Sequence, residues 1–206
     1  MMIISLSGKT ASGKDEAAKA LASIAEGAGW QAVRLGFADA LKEACRKMYG
    51  FSDEQLYGHL KNVVDDYWGI TPRAAMIDLG KRMRERDPLH WVKALVRRLR
   101  EEPNAAKPTL YTITDTRFVN EAEALLDRGA WLWRMRRADR PIAAPEVEAD
   151  ISETDLDTYD RFHLFVNNPG AALGLEGLRA HVLAGWEYTL DKHNRYAKAA
   201  SLETGT

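Results

Sequence analysis

Short apolar runs alternate along the chain with stretches whose apolar residues recur at helical spacing. Residues 3–6 form the first such run and predict a buried strand. Ala17, Ala20, Leu21 and Ile24 then fall at i, i+3, i+4 and i+7, one face of a helix, which Gly27 and Gly29 end. Residues 32–37 predict a second strand, and Asp39 is placed to cap a helix over residues 41–49. Residues 51–70 mix Tyr57, Tyr67 and Trp68 with Gly58 and Gly69 and predict short helices and loops. Thr71-Pro72 is a helix start, a cap followed by proline in the first turn. Asp87-Pro88 repeats it before a helix with Val92, Leu95, Val96 and Leu99 on one face, and Pro103 and Pro108 bracket a loop. Residues 109–114 predict a β-branched strand ending at Asp115. Val119, Ala122 and Leu126 mark a helix that stops at Gly129, and residues 130–135 a fourth strand. After a proline- and acid-rich excursion over residues 138–161, residues 164–166 predict a fifth strand. Leu175, Leu178, Val182 and Trp186 mark a final amphipathic helix, and the polar tail over residues 192–206 is expected to fray.

Strands alternating with helices imply an α/β fold, a mostly parallel five-stranded sheet with helices on both faces. A length of 206 residues suits one domain, with residues 51–70 and 138–161 as inserts on it. Acidic and basic residues nearly cancel, 30 against 29, so the net charge gives no sign of a nucleic-acid partner. Cys45 is the only cysteine, which excludes an intramolecular disulfide and a cysteine metal cluster. A reducing cytoplasm fits best, since the N-terminus lacks a basic leader pattern and no apolar run is long enough to span a membrane. The five histidines show no metal-ligand spacing.

Gly8-Lys9-Thr10-Ala11-Ser12-Gly13-Lys14 fits G-x-x-x-x-G-K, directly after a predicted strand and before a predicted helix. Glycines let such a loop turn its N–H groups inward onto phosphate oxygens. The helix that follows adds its positive end, and Lys14 a mobile charge for the outer phosphates. Asp15 stands where Ser or Thr commonly ligates magnesium; it reads either as a carboxylate for that metal or as a first-turn acid.

A second cluster, Asp115, Arg117, Asn120 and Glu121, follows another strand, on the side where open parallel sheets bind ligands. Asp115 orients magnesium or caps the helix; Arg117 is suited to clamp a phosphoryl group. Arg134, Arg136, Arg137 and Arg140 flank the 138–161 excursion and read either as part of a closing lid or as a solvated basic face. Trp131 and Trp133 alternate along a strand and are expected in the core; Trp68 and Trp91 are open between core and base stacking.

Together these residues resemble the phage-type deoxynucleoside monophosphate kinases, within the P-loop nucleoside monophosphate kinase superfamily. The resemblance runs through Leu6-Ser7-Gly8-Lys9 … Ser12-Gly13-Lys14-Asp15, Phe37-Ala38-Asp39 … Leu41-Lys42, Lys61, residues 68–73, Leu79-Gly80, Trp91-Val92-Lys93 and Asp115-Thr116-Arg117-Phe118 … Asn120-Glu121-Ala122. Ile151-Ser152-Glu153 and Asn168-x-Gly170 complete it, and together the matches cover residues 3 to about 175. An aspartate after the P-loop lysine is common there. Two positions depart: Asp150 stands where histidine is usual, and Pro169 where aspartate is usual.

The resemblance implies a three-layer α/β/α fold with a helical acceptor-binding insert over residues 51–101 and a lid over residues 138–161. It implies ATP as donor, magnesium as cofactor, a deoxynucleoside 5′-monophosphate as acceptor, and a homodimer. ATP is expected on Gly8, Ala11, Ser12, Gly13, Lys14, Asp15, Glu16 and Arg137, with Asn168 and Gly170 near its adenine. Magnesium is expected on Asp15 and Asp115. The acceptor is expected on Lys9, Lys42, Trp68, Arg73, Arg117, Asn120 and Glu121, with Lys14, Asp15, Asp115 and Arg117 carrying the chemistry. Phosphomevalonate kinases of the P-loop type share similar S-G-K-D and D-T-R segments, but the continuation after Arg117 and residues 68–73 favour the nucleotide enzyme. A noncatalytic nucleotide switch is the third reading; the guanine-specific N-K-x-D pattern is absent.

Overall fold

The computed structural model describes residues 1–101 and 107–203, side chains 146 and 200–203 excepted. The chain divides into two compact units, Met1–Leu35 with Asn104–Thr206, and Gly36–Pro103.

The first unit is built on five parallel strands, β1 (Met2–Ser7), β2 (Gln31–Leu35), β3 (Thr109–Ile113), β4 (Trp131–Arg136) and β5 (Leu164–Asn167), in the order β2-β3-β1-β4-β5. β1 lies at the centre and is buried throughout, as a strand covered on both faces must be. Its side chains alternate. Met2, Ile4 and Leu6 join Trp131, Trp133 and Met135 in a core closed by two helices, α1 (Lys14–Gly27) and α9 (Gly174–Glu203). Ser5 and Ser7 alternate with them and carry polar links instead: the Ser5 hydroxyl pairs with that of Thr116 at 2.7 Å, and Arg134 donates to Ser7 Oγ at 2.8 Å. The strand that builds the core thus also feeds polar groups toward its carboxyl end. Helix α6 (Val119–Leu126) lies between β3 and β4 in sequence and packs against β4.

The second unit holds α2 (Phe37–Tyr49), α3 (Asp53–Leu56), a 3₁₀ turn (His59–Asn62), α4 (Pro72–Arg86) and α5 (His90–Glu101). Its own core gathers Cys45, Phe51, Leu56, Ala75 and Met76. Burial raises the Cys45 thiol above its ordinary value, that of an inert small hydrophobe. Trp91 is a core residue, only 5 % exposed, and donates its indole N–H to the Gly80 carbonyl at 3.2 Å. Thr71 caps α4 by accepting from the Ala74 N–H at 3.1 Å.

Several sequence expectations shift. The second strand stops at Leu35, and Phe37 opens α2. Asp39 is not the N-cap but the third helical residue, its carboxylate accepting from the Gly36 N–H at 2.7 Å while its own N–H donates to the Gly36 carbonyl at 3.2 Å. In α6 the buried positions are Glu121, Ala122 and Leu125, while Val119 is exposed. In α9 the buried stripe is Leu178, Val182, Trp186 and Thr189, with Leu175 exposed. Residues 192–203, in the tail expected to fray, continue α9 to Glu203, with the Tyr196 ring 6.0 Å from that of Trp131. Pro103 lies outside the described residues. The 138–161 excursion contains α7 (Pro145–Glu148) and α8 (Ile151–Thr154). No helix among the described residues is long and apolar enough to cross a membrane.

Candidate active site

The loop between β1 and α1 has the shape its composition requires. Gly8 and Gly13 take φ values of 148° and 95°, which side chains with a Cβ rarely adopt. A Cβ on Gly13 would lie 2.3 Å from the Asn168 amide nitrogen, and one on Gly8 2.8 Å from the Met135 carbonyl. Ala11 sits at φ 60° without being glycine, local strain of the kind ligand-binding loops hold. Lys14 folds back over the loop, donating to the carbonyls of Gly8 and Lys9 at 2.7 and 2.9 Å. Burial, then the Arg117 charge, pulls its pKa down to about 8, against Glu153 and Asp15, which raise it.

The carboxyl ends of four strands deliver the remaining groups to this unit's candidate site. β1 leads into the phosphate loop and β3 into Asp115, Thr116 and Arg117. β4 leads into Arg136 and Arg137, and β5 into Asn168. Arg117 donates through Nη1 to the Glu153 carboxylate, and its own N–H is received by Glu121 at 2.9 Å. Glu121 is buried and also accepts from the Phe118 N–H, so it holds the turn into α6. Asp115 and Asn120 flank this turn, both half-buried.

The Asn168 amide donates to the Ser12 carbonyl at 3.0 Å and accepts from the Gly170 N–H at 3.0 Å, tying the loop after β5 to the phosphate loop. Gly170 has no room for a side chain, since a Cβ there would meet Asp139 at 1.8 Å. Ser12 lines a cavity of about 630 Å3 together with Lys9, Arg134, Arg137 and Asn168. Its hydroxyl is buried with no hydrogen-bond partner among the described residues, a deficit of about 1–3 kcal/mol that a ligand oxygen would relieve.

The four arginines at the mouth of the excursion have separate attachments. Arg134 is half-buried and bonds to Ser7 and to Asp157, while Arg136 lies 3.7 Å over the Phe165 ring. Arg137 pairs with Asp139 at 2.9 Å. Arg140 grips Glu148 through two 2.6 Å bonds, which hold the Glu148 pKa at about 2. Lys9 reaches Asp157 at 2.5 Å and the Glu153 carbonyl at 2.6 Å.

Asp15 is largely exposed, 73 % at its side chain, and pairs with Arg34 at 2.9 Å; Arg34 also donates to Thr114. Glu16, next along α1, pairs with Lys19. Three of the residues expected at the acceptor lie in the second unit. There the Lys42 ammonium sits 4.1 Å over the Tyr57 ring, Arg73 is exposed in the first turn of α4, and Trp68 donates to the Tyr49 carbonyl. Sequence reasoning missed Arg34, Thr10, Asp157 and the role of Glu153 at the loop. Their partners lie 19 to 148 residues away, so no local spacing announces them.

A parallel sheet whose central strand runs through this loop into a helix defines the P-loop class of nucleotide-binding proteins. Comparison with known proteins narrows the class. A protein of Acanthamoeba polyphaga mimivirus, provisionally named deoxynucleotide monophosphate kinase, is 32% identical over 194 residues, covering 82% of this chain and 89% of its own. The chain belongs to the deoxynucleotide monophosphate kinase family. No protein-family model matches it. Among solved structures, shikimate kinase of Aquifex aeolicus is similar at TM-score 0.44 and 15% identity, covering 92% of this chain and 98% of its own. A gluconokinase of Sinorhizobium meliloti 1021 is similar at TM-score 0.46 and 15% identity, covering 96% and 97%. Neither likeness is close enough to bear on the reaction.

Proposed function

We propose that the protein transfers the terminal phosphoryl group of ATP to a deoxynucleoside 5′-monophosphate. The observation that carries the reading is that Glu153 ties Arg117 to Thr10 of the phosphate loop while Lys14 folds over the same loop, in a chain of this family. Burial first and the Arg117 charge second work against the Lys14 ammonium; a phosphate beside it would offset both and keep Lys14 protonated. The orphaned Ser12 hydroxyl and the left-handed loop fit a polyphosphate in the same place.

In this reading the backbone of residues 8–16 cradles the donor phosphates and Lys14 moves from the loop carbonyls onto them. Asn168 and Gly170 shape the adenine side, with Arg137 nearby. Arg117 and Lys9 meet the acceptor phosphate, with Lys42, Arg73, Trp68 and Asn120 completing acceptor recognition and Glu121 keeping Arg117 in place. Asp15 and Asp115 suit magnesium, which needs only one or two carboxylates when water and phosphates fill its other positions. Magnesium, when bound, neutralises charge on the donor phosphates. Asp15 must exchange Arg34 for that role, and the exposure of the pair makes the exchange inexpensive. Positioning and charge then suffice, because phosphoryl transfer asks for little covalent help from the protein.

An acceptor panel tests the reading: purified protein, ATP and magnesium with each deoxynucleotide, each ribonucleotide and phosphomevalonate in turn. ADP formation dependent on a deoxynucleoside monophosphate is expected. Turnover with phosphomevalonate alone, or none with any acceptor, would overturn it.

A further inference from the structure

Glu153 lies on α8, far in sequence from the phosphate loop, yet its side chain is only 4 % exposed. A buried carboxylate needs several donors to offset its lost hydration. Glu153 finds them in two places. Oε2 accepts from the Thr10 N–H and Oε1 from the Thr10 hydroxyl, each at 2.7 Å, and Oε1 also accepts from Arg117 Nη1. Its backbone carbonyl receives Lys9. Burial alone would raise its pKa; the Thr10 and Arg117 hydrogen bonds outweigh that and hold it low, so the carboxylate stays charged at neutral pH.

The Arg117 side of this contact has a direction. One edge of the guanidinium, Nη1, is held by Glu153 and the Ser152 carbonyl, while Nε and Nη2 have no partner among the described residues. The group remains 33 % exposed. A planar fork gripped along one edge presents the other in a fixed orientation, which suits bidentate capture of a phosphate.

We propose that Glu153 is a positioning residue, whose carboxylate, anchored on Thr10 of the phosphate loop, fixes the Arg117 guanidinium where it meets the acceptor phosphate. The inference rests on the kinase reading for what Arg117 grips. That Arg117 is immobilised by Glu153 is testable without it.

The test uses the full chain with Glu153→Gln, Arg117→Lys and the double substitution, each checked for folding by circular dichroism and thermal unfolding. In the ligand-free wild type, nitrogen-15 NMR should show the Arg117 guanidinium, assigned by its loss in Arg117→Lys, rotating slowly about its Nε–Cζ bond. In Glu153→Gln those signals should average. For the kinase, kcat/KM toward the monophosphate should fall about 10- to 100-fold in Glu153→Gln, the cost of a misplaced catalytic group. ATP affinity measured by calorimetry without acceptor should stay within about twofold of the wild type, because Lys14 is not substituted and the glutamine amide oxygen can still accept from the Thr10 N–H. The double variant should be no worse than Arg117→Lys alone, since both act through one contact. Multiplying losses in the double variant, equal loss of ATP affinity, or an Arg117 signal unmoved in Glu153→Gln would overturn the proposal. If Glu153→Gln fails to fold, Thr10→Val removes only the hydroxyl anchor and should give a smaller shift of both readouts in the same direction; no shift would overturn it equally. Failure of the wild type in the acceptor panel would sink the kinase reading and leave the NMR arm to decide the Glu153 contact.

Discussion

Around the phosphate loop, the long cations are held by the protein's own acids: Lys9 and Arg134 by Asp157, Arg117 by Glu153. The second unit is the opposite case. Large side chains stand in solvent there, among them Val63, Val64, Tyr67, Trp68 and Ile77, while its buried core is small. A network of mutually satisfied charges is set for one class of ligand, an anion able to compete for the same donors. Exposed apolar and aromatic groups carry no such demand; in the proposed reading they select by shape and contact, which differ between related acceptors. In that reading the class of chemistry is readable from the first unit alone, and the choice of base is not.

The largest expected effect breaks the first side of the comparison. Lys14→Ala should lower turnover at least about a hundredfold, as the loss of an oriented charge at the transferring group does. Its circular dichroism should match the wild type, because the lysine makes only hydrogen bonds to two loop carbonyls. Near-normal turnover in the folded variant would remove Lys14 from the site.

The two tryptophans of the second unit sharpen the other side. Trp91→Ala should destabilise the fold by about 3–5 kcal/mol, as for a buried aromatic truncated to alanine. Trp68→Ala should cost much less in denaturant titrations, since its ring is 42 % exposed, and should show itself instead in the acceptor KM. Comparable losses of stability would mean that Trp68 is structural.

Arg117→Lys keeps the charge and loses the fork. It should cost about 2–4 kcal/mol in kcat/KM for the monophosphate and leave ATP binding without acceptor nearly unchanged. Loss of ATP affinity with normal acceptor kinetics would place Arg117 on the donor side.

The smallest effect concerns pH. Lys14 has a folded-state pKa of about 8 against 10.5 for the ordinary group. Between these values the unfolded chain binds more protons, so this residue makes stability rise with pH there. ATP favours the protonated amine, so ATP affinity should fall as pH rises above about 8. Calorimetry in buffers of different ionisation enthalpy should detect proton uptake near pH 9, a midpoint estimate between the two values. Affinity flat from pH 7 to 10, a window of about three units, would contradict the desolvated lysine.

Much of this architecture was legible in the sequence because local rules wrote it. Thr71-Pro72 starts α4, and the glycine-bounded loop with Lys14 follows the buried run of β1. Local rules failed where two signals overlapped. Phe37 reads as the end of an apolar strand, but the Asp39 carboxylate accepts from the Gly36 N–H across it, and α2 begins two residues after β2 stops. The helical tail was missed because polar residues after Lys192 suggest fraying, while Tyr196 has a tertiary partner in Trp131. Asp150, unusual against the family pattern, accepts from the Ser152 N–H and caps the helix that carries Glu153. The acid partners at the loop were invisible for another reason: Glu153 and Asp157 come from the excursion, and only the folded chain sets them beside Thr10 and Lys9.

The central claim is that charge placement in the first unit serves transfer to a nucleoside monophosphate. Its most direct test is ADP release in the acceptor panel, with Arg117→Lys run beside the wild type. The account predicts turnover that requires a deoxynucleoside monophosphate and falls steeply in the variant. Turnover with phosphomevalonate alone, no turnover with any acceptor, or equal rates in both proteins would contradict it.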